Sequence, residues 1–270
     1  MTEINVKRIK LFFVVLSAIA LAVGVFRTII LLNYIEPDTG FYISGTNVDV
    51  VFNCVLGALI IAILVCGFLV RKYEAPDFLD SHSTVVVFSS AVCAFLYVTV
   101  AIYGVYMFAT ATEFRPFLAA QVVLAIPCAL NHVFICSKEV REKNAPQSLL
   151  AMSEALFFAV RTVEVFMDTK SQINTSQRSI VLIMLCTMML FFMYEAKFQI
   201  RNEDTKPVSV ANYFMCGVGT VALTLVTVLP YLAVCLFWHF ESHNIILDVL
   251  ECCIMIYAAS RMLTLRSSAK

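Results

Sequence analysis

The chain holds 270 residues, of which 61% are hydrophobic and 14% charged, and its 19 basic and 19 acidic side chains cancel to a formal net charge of zero. A soluble domain averages about 45–50% apolar and about 25% charged residues, so this composition excludes a water-soluble fold with an adequately covered core. Zero net charge gives no global field to recruit nucleic acid, and the positions of the charges carry the information instead.

A bilayer crossing takes about 20 apolar helical residues at about 1.5 Å each. Taken in chain order, the apolar runs predict spans over 11–34, 48–70, 84–109, 117–137, 148–169, 179–198, 211–238 and 245–265. The expected fold is therefore all-α, a polytopic transmembrane helical bundle of eight spans. Lys7, Arg8 and Lys10 precede the first run, and Ala18-Ile19-Ala20 imitates a leader cleavage site. That run continues to Leu32, which favours a retained first helix over a signal peptide. Segment 35–47 is turn-rich: Pro37 stops the first helix and Gly40 permits a tight turn. Pro127 and Pro230 fall inside spans and predict kinks. Gly217-Val218-Gly219 reads as a packing or flexibility signal.

Orientation follows from Lys and Arg. One side receives Lys7, Arg8, Lys10, Arg71, Lys72, Lys138, Arg141, Lys143, Lys197, Arg201, Lys206, Arg261, Arg266 and Lys270. The other receives Arg115, Lys170 and Arg178. This bias places both termini in the cytoplasm and requires an even number of spans. The weakest span, 148–169, contains Glu154, Arg161 and Glu164, each costly at mid-bilayer. Removing it would invert every later loop and export its basic residues, so the charge bias retains it. The expected location is the plasma membrane, multi-pass, with the lipid bilayer as the main partner and no nucleic acid.

Divided near residue 146, the chain gives two four-helix halves, 1–146 and 147–270. Phe26-Arg27-Thr28 in span one parallels Val160-Arg161-Thr162 in span five, and basic residues end the span after each. Such a 4+4 parallel tandem repeat would place a site at the interface of the halves, as in transporters built from parallel repeats.

The ionisable residues inside spans are the candidate site. Arg27, Arg161, Glu164, Asp248 and Glu251 all fall roughly 5–12 Å below the outer surface by residue count. Asp49, at the outer start of span two, can join from above. Arg161 and Glu164 are i,i+3, and Glu154 is two turns from Arg161, so the three share one face. Asp248, Glu251 and Cys252 share another. Charges in hydrocarbon face the bundle interior and pair, or reach the interface. Spans one, five and eight are thus expected to meet through a buried charge network. Two readings stay open: salt bridges that fix helix register, or a solute or proton site in an outward-facing polar pocket.

Other features read as structural. Glu195 and Lys197, at the cytoplasmic end of span six, suit interfacial anchoring. His132, next to Asn131, reads as a hydrogen-bonded bundle residue. His239 and His243 flank Glu241 without a fourth ligand, which leaves no metal site expected. Tyr34, Phe41, Tyr42, Trp238 and Phe240 suit an outer interfacial belt. The ten cysteines lie in or at the ends of apolar runs with no C-x-x-C pair, as small packing residues do. No H-E-x-x-H, G-x-S-x-G or P-loop occurs, so neither an enzyme nor a cofactor is expected.

Arg27-Thr28 through Tyr34, followed by Glu36-Pro37-Asp38-Thr39-Gly40-Phe41-Tyr42, resembles a pattern of arginine-threonine, aliphatics, tyrosine and acidic-x-threonine-glycine-aromatic. The pattern belongs to uncharacterised multi-pass membrane proteins of Gram-positive, Clostridia-like bacteria. Met189-Leu190-Phe191-Phe192-Met193-Tyr194-Glu195-Ala196-Lys197-Phe198 is similar to another segment of that group. The resemblance covers under a fifth of the chain and implies a bacterial plasma membrane without a particular activity.

Two functions follow as expectations. One is binding or transport of a small anionic solute, or of protons, at the charged outer site. The other is a sensor or scaffold subunit that acts through a membrane-protein partner, its buried charges being structural.

Overall fold

A computed structural model describes residues 3–35, 42–43, 45, 47–71, 83–110, 115–137, 145–167, 176–200, 209–238 and 244–265. They form α1 (Glu3–Asn33), α2 (Val48–Val70), α3 (Thr84–Thr110), α4 (Pro116–Cys136), α5 (Ala145–Met167), α6 (Ser176–Ile200), α7 (Val210–Val226), α8 (Val228–Trp238) and α9 (Ile245–Leu263). Each expected span corresponds to a helix, except that 211–238 is divided into α7 and α8. Among the described residues the remaining pairing is an isolated bridge between Ile35 and Tyr42.

Six candidate crossings, the α7–α8 pair counting as one, are long and apolar enough to traverse a membrane. The chain is accordingly a multi-pass membrane protein with an all-helical fold. α5 and α9 are of comparable length but each carries three charged residues: Glu154, Arg161 and Glu164 in α5, and Asp248, Glu251 and Arg261 in α9.

The break between α7 and α8 has a covalent cause. Pro230 has no N–H to give to the carbonyl of Val226, and its ring crowds that turn. Thr227 marks the interruption, with its own N–H still bonded to Leu223 O at 2.9 Å. Pro127, by contrast, lies within a continuous α4.

Packing follows chain order. Each of α3, α4, α5, α6 and α7 packs on the next, α7 packs on α9, and α9 returns to α3, which closes a ring of six helices. α1 and α2 pack together on the outer side of α7, and α1 also meets α8. A 4+4 repeat is not confirmed by this arrangement: α6 packs on α7, whereas α2, its counterpart, packs on α1 and α7. The segments 1–146 and 147–270 meet through α4 on α5, α3 on α9, and α1 and α2 on α7.

α7 is buried on nearly every side, as a helix surrounded by others must be. Its buried residues run without a gap from Gly217 to Thr224. Small residues let neighbours approach it closely. Gly217 faces Met262 of α9, and Gly219 faces Thr187 of α6. Gly24 of α1 abuts the Leu225 carbonyl oxygen, where a methyl group would overlap the backbone.

The ring is filled mainly by aromatic side chains. Phe158 of α5 stacks on Phe192 of α6 at 5.7 Å between centroids, Phe191 stacks on Tyr213 of α7 at 5.5 Å, and Tyr97 of α3 meets Phe157 edge-on at 5.3 Å. These offset and edge-to-face geometries are the favourable ones for ring quadrupoles. The outward face of α3 instead presents Phe88, Phe95 and Ile102. Seven-residue spacing keeps them on one side, where lipid rather than water is their solvent.

Candidate functional site

The cluster around Arg161 is built by α4, α5 and α9. Arg161 and Glu164 lie one turn apart on α5, and their side chains pair at 2.7 Å. Glu251, one turn beyond Asp248 on α9, approaches Arg161 Nε at 3.6 Å. Gln121 of α4 donates its amide to Glu164 at 2.6 Å. Asp248 lies within electrostatic reach of Arg161. One guanidinium thus meets two carboxylates, Glu164 and Glu251. Exposure falls inward through the cluster: the Glu164 side chain is 29% exposed, Arg161 16% and Glu251 4%.

Three expected members take other places. Arg27 is buried on α1, where it donates to the Tyr42 hydroxyl and lies over the Phe52 ring, 4.5 Å from its centroid. Tyr42 and Phe52 thus hold the guanidinium from the side of α2 and the segment before it. Glu154 shares α5 with Arg161 yet reaches toward α4, where it accepts from the Asn131 amide at 2.6 Å. Asp49 is half-buried in the first turn of α2.

Two further polar clusters are present. In the first, His132 Nε2 stands 3.4 Å from Glu154 Oε1, and Ser90 of α3 lies 2.8 Å from His132 Nδ1. The expected reading of His132 as a hydrogen-bonded bundle residue agrees with this. In the second, Glu195 of α6 pairs with Arg261 of α9. Tyr213 donates to Glu195 Oε2 at 2.8 Å, Tyr257 donates to Oε1 at 3.1 Å, and Arg261 Nε donates to the Tyr257 hydroxyl at 3.0 Å. The anchoring role expected for Glu195 is corrected: its carboxylate is 2% exposed within protein, because Arg261 and two phenols supply inside the bundle what water supplies at an interface. Lys197 lies over the Tyr194 ring at 5.2 Å.

Tyr257 joins the two clusters physically. Its hydroxyl belongs to the Glu195–Arg261 pair, and its ring meets His132 edge-on at 5.0 Å. Gln121, Arg261 and Tyr257 went unnoticed as site residues in the sequence. Arg261 was masked by its place among basic residues near the C-terminus. Its signal was the i,i+4 spacing to Tyr257, which puts both on one face.

At the other helix ends, Arg178 of α6 donates to the Phe166 carbonyl at 2.6 Å and so satisfies one of the free acceptors at the end of α5. All ten cysteines are free thiols, consistent with a packing role. Among the described residues no group of three or more His, Cys, Asp or Glu side chains could hold a metal ion. His239, Glu241, His243, Phe41 and Phe240 lie outside the described residues. No family model, curated protein or solved structure matches this chain.

Proposed function

We propose that this protein is an eight-span, non-enzymatic protein of a bacterial plasma membrane, with both termini cytoplasmic, that binds or moves a small solute at the Arg161–Glu164–Glu251 cluster. The four-helix halves 1–146 and 147–270 would flank that site. The observation that carries the reading is the excess of carboxylates. Glu164 and Glu251 both meet the single guanidinium of Arg161, and the two run from part-exposed to buried. An intramembrane ionisable group that is not neutralised one-for-one marks a solute or proton path by default.

The excess also refines the solute. An anion would have to displace a carboxylate from Arg161, whereas a proton or small cation would relieve the repulsion between the two acids that share it. Protons or a cationic group therefore suit the cluster better than an anion alone. The span count rests on α5 and α9: Arg161 meets Glu251 between them, Glu154 turns to α4 and Arg261 to α6, so these charges meet protein partners, which weakens the main objection to burying both helices.

Proteoliposomes loaded with a pH-sensitive dye test the reading. Under an imposed pH gradient, with panels of small anions and cations added outside, the wild-type protein should move protons with at least one solute. Glu251→Gln should abolish the signal while leaving insertion intact. Equal signals from wild-type, Glu251→Gln and empty vesicles across both panels would reject it.

A second reading, a sensor or scaffold subunit acting through a partner, draws support from the Glu195–Arg261 cluster, where the acid, the guanidinium and two phenols satisfy one another. Co-purification of a defined membrane partner, lost when the short cytoplasmic loops are exchanged, would favour it.

A further inference from the structure

We propose that His132 and Glu154 form a second, separate site whose ligand is a proton, held between α4 and α5 so that the buried pair carries no net charge. The site lies seven residues, about 10 Å along α5, from Arg161. It stands on its own geometry, whatever the cluster around Arg161 binds.

Both side chains are fully buried. The groups that face them come from every neighbouring helix: Ser90, Cys93 and Tyr97 from α3, Cys128 and Asn131 from α4, Ser153 beside Glu154 on α5, and Tyr257 from α9. These are hydroxyls, thiols, phenols and an amide. The cation reached through Tyr257, Arg261, is already matched by Glu195. An ionised Glu154 beside a neutral imidazole would therefore be a buried charge without a counterion, the arrangement that proteins avoid by neutralising the group.

Hydrogen-bond capacity points the same way. Ser90 Oγ lies 3.1 Å from the His132 carbonyl oxygen and 2.8 Å from Nδ1. The hydroxyl has one hydrogen, which it can give to Nδ1 or to the carbonyl, so this contact admits either ring tautomer. Nε2 faces Glu154 Oε1 at 3.4 Å. Glu154 Oε2, Asn131 Oδ1, His132 Nε2 and the Tyr97 hydroxyl meet no hydrogen-bond partner in this corner. A proton held on Glu154 or on His132 supplies a further donor there. Tyr97, stacked on the imidazole with centroids 5.7 Å apart, brings the phenol to the same place.

The test reads protonation directly in the full chain in lipid bilayers. Infrared spectroscopy at neutral pH should show either a protonated-carboxyl band that disappears in Glu154→Gln and persists in Glu251→Gln, or, with Glu154 ionised, a doubly protonated imidazole that disappears in His132→Gln. Nitrogen-15 NMR of the wild-type protein needs no variant. Of the chain's four histidines, His132 is buried and should exchange slowly with solvent. It should be either doubly protonated or neutral and hydrogen-bonded to a carboxylic acid. A His132 imidazole that is neutral, together with no Glu154-dependent acid band, would overturn the proposal. That result would leave the role of the cluster around Arg161 untouched, since proton flux in vesicles reads it separately.

Discussion

Arg261 and Glu195 stand 66 positions apart in the chain and pair within the bundle, each all but inaccessible to solvent. Their pairing fastens α9 to α6 across the ring and is seconded by two tyrosines. Removing one partner of a buried pair strands the other charge at a cost of about 3–5 kcal/mol. Arg261→Met or Glu195→Leu alone should therefore lower the detergent melting temperature sharply. The double variant should recover most of the loss, because two apolar side chains leave no stranded charge. Thermal melts of the three proteins check this, and a double variant as unstable as the singles would contradict it.

The cluster around Arg161 should respond in a graded way. Glu164 is part-exposed, so Glu164→Gln should cost about 1 kcal/mol or less. Arg161→Met removes the guanidinium that Glu164 and Glu251 share and should destabilise several-fold more, with partial rescue by Glu251→Gln. Melting temperatures of the two single variants and of the Arg161→Met/Glu251→Gln pair give the order. Equal losses at Glu164 and Arg161 would mean that exposure does not screen this site.

Gly24 sets how closely α1 can approach the break between α7 and α8. A valine there meets the Leu225 carbonyl oxygen, so Gly24→Val should cost about 1–3 kcal/mol through overpacking. The loss should be local. Proteolysis or hydrogen exchange should loosen α1 and α2 while the six-helix ring stays protected. Uniform loss of protection would show that the two outer helices are integral to the ring.

Topology is open to direct assay. Reporters fused before residue 1 and after residue 270 should both be active in the cytoplasm, and a cysteine introduced at Arg115 should react with an impermeant reagent from outside. Terminal reporters on opposite sides would remove one of the eight expected crossings.

Much of the architecture was legible because bilayer thickness imposes its length on each apolar run. The span 48–70 was found where α2 lies, Val48–Val70. The α7–α8 interruption was legible only as a kink at Pro230, since a mid-span proline removes one hydrogen bond whether the helix bends or divides. The pair Arg161 and Glu164 could be read from i,i+3 spacing, which is local to one helix. Glu154 could not be assigned by the same logic. Two turns of helix put it near the Arg161 face, but the choice between Arg161 and Asn131 depends on which neighbour lies alongside, and that is decided by packing. Arg261 and Glu195 are joined only by tertiary structure, and each on its own looks like a residue at a helix end.

α5 meets its neighbours at two heights, through Glu154 against Asn131 and through Arg161 against Glu251. A helix pinned at two levels can neither swivel nor piston by a single residue without rupturing both attachments at once. α5 is thereby a fixed post about which its neighbours are arranged, while α7 and α8 are divided at Thr227.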